Sequence, residues 1–190
     1  MSIAKEFTIE QLIEKFEGAK TIIHEYGSLP RETVLYKLNP ETWSCVEVCQ
    51  HLIQFNKLYI NQMNSAIEKL NAIPAAQNGH TFSPKWSARK LAGYMEPPYS
   101  FGIKTVKPMK PDGSESDPAE TIERLIEVQD ELIELLKRAD SENWDLDKIK
   151  GRHPLIKLLR LSLTDFLIIM DAHQRRHIWQ IEQILKRIPQ

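Results

Sequence analysis

Residues Ser162–Arg187 read SLTDFLIIMDAHQRRHIWQIEQILKR, and the spacing of their apolar side chains decides the fold class. Phe166, Ile169, Met170, Ile181 and Ile184 recur at three- and four-residue intervals, the repeat of a helix with one face turned to a core. A strand would instead alternate apolar and polar at every second position. Ser162, followed at the third position by Asp165, supplies a cap for the helix start. The same apolar face carries His173 and His177, one helical turn apart, so both imidazoles leave the helix on one side and can converge on one point. Such a pair is a weak signal alone. Its setting strengthens it, because an unpartnered polar group inside a bundle costs about 1–3 kcal/mol and two rings there need a common partner.

Three more stretches carry the helical repeat. The first runs from Thr8, its cap, to about Tyr26, with Ile9, Leu12, Ile13, Phe16, Ala19, Ile22 and Ile23 as its stripe and Gly27 ending it. The second opens at Ser44 and Glu47, a capping box behind Pro40 and Trp43, and is expected to reach about Asn71. It would bury Cys45, Val48, Cys49, Leu52, Phe55, Tyr59 and Met63. The third begins near Asp117-Pro118 and continues to about Ala139, with Ile122, Leu125, Ile126, Gln129, Leu132, Ile133 and Leu136 facing inward. Four long helices with mostly short turns predict an all-α four-helix bundle, a single domain over residues 1–190.

One segment breaks the pattern. From about Ala72 to Asp117 the chain is rich in Pro, Gly, Ser and Lys, and only Ser83-Pro84 can start a short helix, carrying Trp86 and Leu91 until Pro97-Pro98 stops it. A connection of that length in a compact domain is functional or disordered, and here reads as a crossover or lid. Trp86, Arg89, Lys90, Tyr94 and Tyr99 within it fit no motif, and substrate choice is expected to reside among them.

Composition narrows the function class. Charged residues make up 27% of the chain yet cancel to a net charge of −1, so no basic excess draws it to nucleic acid or an anionic membrane surface. No run approaches the roughly 20 apolar residues of a membrane span, and Glu6 falls where a secretory signal would need an apolar core, which places the protein in the cytoplasm. The only cysteines, Cys45 and Cys49, lie four apart on a predicted helix, a spacing unsuited to a structural disulfide, and read as reduced, buried thiols.

A third ligand completes the histidine pair. His51 lies near the start of the second helix at the edge of its stripe, with Val48 and Phe55 one turn away. Three neutral imidazoles suit Zn, Ni, Fe or Cu and leave a position open, as catalytic rather than structural sites do. His24, His80 and His153 fall near helix ends or in loops and are assigned no role, His153 remaining an outside candidate for the site. Glu47 reads first as the capping-box residue and second as an acceptor behind a ligand. Gln180 suits either orienting a ligand or a bond within the bundle, and Arg175 and Arg176 either a substrate carboxylate or, by preference, a solvated helix face.

With these residues in view, Trp43-Ser44-Cys45-Val46-Glu47-Val48-Cys49-Gln50-His51-Leu52 resembles the W-S-x-x-E-x-x-x-H-L signature of the DinB-like (DinB/YfiT) superfamily. His173-Gln174-Arg175-Arg176-His177-Ile178-Trp179-Gln180-Ile181 resembles its H-x-x-R-H-x-x-Q-I ending, and His153-Pro154-Leu155 also fits. The resemblance implies an up-down-down-up bundle, often a homodimer, with His51, His173 and His177 in the family's metal-binding role. It also implies metal-dependent chemistry of the kind known in such proteins, namely thiol transferases and thiol-dependent isomerases acting on small molecules, with many members named only as hydrolases. One divalent transition metal is expected, Zn or Ni ahead of Fe, Mn or Cu, lowering the pKa of a water or of a low-molecular-weight thiol. The alternative is a metal-binding or interaction bundle without turnover.

Overall fold

The side chains that open the long helices are bonded into place by their own neighbours. In a computed structural model that describes residues 3–77, 81–99, 105–111, 117–156 and 158–188, Thr8, Ser44 and Ser162 each accept an N–H from the third helical residue. Gln11, Glu47 and Asp165 answer with a bond to the cap's own N–H. These reciprocal boxes satisfy backbone donors that a bare helix end leaves orphaned. They start α1 (Ile9–Tyr26), α3 (Cys45–Glu68) and α6 (Leu163–Leu185), while Asp117 caps α5 (Pro118–Ser141), where Pro118 occupies a position needing no N–H.

The fold is all-α, and these long helices close a ring in which α1 and α3 each pack against both α5 and α6. Glu17 and Lys20 of α1 reach Lys137 and Asp130 of α5, a reversed order that makes the two antiparallel. Phe55 and Tyr59 of α3 meet His173 and Phe166 of α6, so that pair is antiparallel too. The core between them holds Leu12, Phe16 and Ile23, Leu52, Ile60 and Met63, Leu125 and Leu132, and Phe166, all fully or almost fully buried. Each such side chain contributes about 1.5–3 kcal/mol by leaving water. No helix among the described residues is long and apolar enough to cross a membrane.

Helix limits follow burial. The second long helix stops at Glu68 rather than near Asn71, because Leu70 lies outside the core and is exposed, leaving nothing for another turn to bury. The last stops at Leu185, two residues before the expected Arg187, with Lys186 as its cap. Additional short elements appear where the sequence carries no long repeat: α2 (Arg31–Leu35), a 3-10 turn at Lys107–Met109, and the strand pairs β1 (Phe7–Thr8) with β2 (Thr81–Phe82) and β3 (Lys150–Arg152) with β4 (Arg160–Ser162).

The long excursion is tied down on one side of the bundle. The β1–β2 pairing holds its first part, and α4 (Trp86–Met95) lies against α6. The expected short helix is thus present, although Lys85 rather than Ser83 stands at its cap and Trp86 is exposed. Backbone N–H groups of Ser83 and Lys85 bond to Asp147 and to the buried Asp165, fixing the entry to α4. At the base, the β3–β4 hairpin approaches α3 so closely that a Cβ on Gly151 would stand 3.0 Å from the Phe166 ring and 3.1 Å from the Gln62 carbonyl oxygen. Only glycine admits that approach, and the hairpin carries the His153 loop inward.

Candidate metal centre

His51 from α3 and His173 and His177 from α6 meet inside the bundle, all three buried. Their Nε2 atoms face one another: His51 to His173 and His177 to His173 are both 3.2 Å. Two imidazole nitrogens bound to one ion at 2.0–2.1 Å with tetrahedral angles stand about 3.3–3.4 Å apart, so the rings are already spaced as ligands of a common cation. Among the described residues, this is the group of His, Cys, Asp and Glu whose donor atoms gather in this way.

The hydrogen bonds on the far side of the rings fix which nitrogen is bare. His51 Nδ1–H donates to the carbonyl of Met109, and His177 Nδ1–H donates to Gln180 Oε1 at 2.9 Å. A neutral ring protonated at Nδ1 presents a lone pair at Nε2. Two lone pairs therefore point at His173 Nε2, while His173 Nδ1 is buried with no hydrogen-bond partner among the described residues. With the His173 proton on Nε2, one N–H divides itself between two acceptors and Nδ1 stays orphaned. With the proton on Nδ1, three lone pairs meet with no positive charge between them. Either way a buried polar group is unsatisfied, at about 1–3 kcal/mol, and a cation among the three nitrogens removes the conflict.

Electrostatics hold the rings in the ligating form. Burial is the first cause that lowers the pKa of each. For His173, held well below its ordinary value, the neighbouring His177, His51 and Arg176 add to it. His177 is pulled down to about 3 by burial and then by His51, against the opposing bond to Gln180. For His51, burial outweighs the Met109 bond, and Arg176 lowers it further. Neutral imidazole is the state that binds metal. Aromatic packing restrains the rings: Phe55 stacks on His173 at 3.6 Å with planes 14° apart, and the Trp43 ring centre is 5.1 Å from that of His51.

The triad forms part of the wall of a cavity of about 610 Å³, a size suited to a small molecule, whose other walls include Tyr59, Leu91, Met95 and Ile156. Arg176 also lines it, buried, with its guanidinium stacked 3.4 Å from the Tyr99 ring centre. The preference for a solvated face is thus corrected for Arg176. Arg175 is corrected differently, being half-buried and paired with Glu96 and Asp171. One residue apart on a helix, the two point about 100° apart, one toward the cavity and one along the seam between α4 and α6.

The remaining candidates sort themselves. Glu47 is the capping-box residue, bonding the Ser44 N–H at 2.8 Å and Lys37 Nζ at 2.7 Å, and takes no part in the triad. Gln180 orients His177. His24 lies in the last turn of α1, and His80 lies outside the described residues. His153, assigned no role from its loop position, is buried on the cavity wall and bonded to Tyr59. The Met109 carbonyl escaped sequence reasoning altogether, since every residue carries one. Cys45 and Cys49 are free and buried, and burial pushes their thiols up to about 11 and about 12, which rules them out as ready nucleophiles.

Among known protein families, the model described as the DinB superfamily matches the chain over residues 17–181. That range takes in all three histidines. No curated protein and no solved structure matches the chain.

Proposed function

The chain belongs to the DinB superfamily, and on that footing we propose that His51, His173 and His177 hold one divalent transition-metal ion in an enzyme that activates a water or a thiol against a small-molecule substrate. The observation that carries the proposal is the mutual approach of three Nε2 atoms, two of which the bonds behind their rings leave without a proton. A divalent ion held by these three neutral nitrogens would lower the pKa of a water or thiol toward neutrality. Zn and Ni suit the donor set first, and Fe, Mn and Cu accept it also.

The protein's own groups supply the rest. The Met109 carbonyl and Gln180 hold two rings in register, which raises their basicity as ligands. Phe55, Leu91 and Met95 give the cavity an apolar wall for the substrate to pack against. Arg176 places a buried positive charge beside the triad that favours an anionic group on a substrate or an incoming thiolate. A low-molecular-weight thiol as co-substrate, a cytoplasmic setting and a homodimeric assembly complete this reading.

Metal analysis of protein purified without an affinity tag tests it. The expected result is about one ion per chain, with thermal stabilisation of stripped protein by Zn or Ni that disappears in His51→Ala and His173→Ala. Metal-free protein that neither ion stabilises would sink the proposal. Screening the loaded protein with pairs of thiols and electrophiles, and with esters and amides, then separates an enzyme from a binding protein without turnover.

A further inference from the structure

The cavity has a second polar point that the metal chemistry does not use. Tyr59 and His153 lie on its wall, both buried, and Tyr59 Oη is 3.1 Å from His153 Nε2. The other His153 nitrogen settles the direction of that bond. Nδ1 is 3.1 Å from the backbone N of both Leu155 and Ile156, and a ring nitrogen that receives N–H donors carries no proton. The proton of the neutral ring is therefore on Nε2, and His153 donates to the phenol oxygen. The hydroxyl's own hydrogen cannot return to the nitrogen that is donating to it. Among the described residues His153 is the only hydrogen-bond partner of Tyr59, so its O–H is a buried donor still in need of an acceptor, which the cavity must supply.

That donor is held in place and kept charge-free around it. The Tyr59 ring stacks on Phe55 at 4.3 Å and meets the edge of Phe166 at 5.6 Å. Burial alone pushes the hydroxyl above its ordinary pKa, with no charged neighbour contributing, so it stays protonated across the working range. Burial likewise keeps His153 neutral by lowering its pKa. Between aromatic rings an anion facing the phenol would lose its hydration at high cost, whereas a carbonyl or amide oxygen loses less. Along α3 the order is His51, Phe55, Tyr59, one turn apart each, and the Phe55 ring lies between the triad and the phenol, its centre 3.6 Å from that of His173 and 4.3 Å from that of Tyr59.

Resting on the metal reading of the triad, we infer that Tyr59, positioned by His153, recognises an uncharged oxygen acceptor at the far end of a substrate whose reacting end lies at the three histidines. The substrate class is an elongated small molecule with an apolar middle and a carbonyl or amide group remote from the site of reaction.

Matched hydroxamates test this on Zn-loaded protein: straight-chain alkyl hydroxamates, and the same chains ending in a primary carboxamide, over a series of lengths. The hydroxamate addresses the ion and the carboxamide probes Tyr59. The expected result is one chain length at which the carboxamide tightens binding by about three- to tenfold. Tyr59→Phe should erase that advantage while the plain chain binds as before. Plain chains that bind with no carboxamide advantage at any length, or an advantage that survives in Tyr59→Phe, would overturn the inference and leave the metal reading standing. Failure of every hydroxamate on protein found to hold no metal would overturn both. Nitrogen NMR of His153 in metal-free protein gives an independent check: a proton on Nε2 is expected, and a proton on Nδ1 removes the argument whatever the metal does.

Discussion

Lowering the pH of the metal-free protein from about 7.5 to about 5.0 should weaken it through the buried histidines, and His177 sets the scale. Its pKa is held at about 3 in the folded chain, against an ordinary value of 6.5. In that interval the unfolded chain binds a proton at this position and the folded chain does not. Stability is therefore complete above pH 6.5 and declines as the pH falls toward about 3, at up to about 1.4 kcal/mol per unit for each such ring. Between 6.5 and 5.0 that is about 2 kcal/mol for His177, and His173, shifted in the same direction by its burial, adds to it. In a chain of this size 1 kcal/mol moves Tm by about 2–4 °C, so the share of His177 is about 4–8 °C. Melting curves by circular dichroism in the presence of a chelator, for wild type and His177→Leu, measure it. The variant should show the flatter dependence on pH. A wild-type Tm that does not move over this range, or equal slopes for the two proteins, would refute the reasoning. Added Zn should raise Tm throughout the range, since burial keeps His173 and His177 neutral, the state that binds metal, in the folded chain.

Gln180→Ala removes the acceptor behind His177 without touching the triad, and should weaken metal affinity by about 10–100-fold, read by competition with a calibrated chelator. Gly151→Ala forces a methyl against the Phe166 ring and the Gln62 carbonyl, and should cost about 1–3 kcal/mol in urea unfolding with little change in metal content.

What the sequence disclosed was what is decided locally. The caps at Thr8, Ser44 and Ser162 and the apolar stripes of the long helices depend on residues within one or two turns, and the structure has them where the pattern places them. The pairing of His173 with His177 is local in the same sense. That His51 meets them is a contact across 122 positions, suggested by its place on the α3 stripe and by resemblance to a known signature. Three features were illegible for a common reason. The different fates of Arg175 and Arg176 depend on where α4 lays Glu96 against α6, the burial of His153 depends on the fold of the β3–β4 hairpin, and the support for His51 comes from a main-chain atom. In each case the partner arrives from a distant stretch of chain without a motif of its own.

The last of these has a practical corollary. The group that braces His51 is the oxygen of a peptide unit at residue 109, and no exchange of side chain at that residue deletes it. Altering the letters of residues 105–111 would leave the brace available so long as the turn keeps its course, whereas inserting or removing a single residue would slide a different peptide unit under the imidazole. Engineering of this part of the cavity wall should therefore hold its length constant.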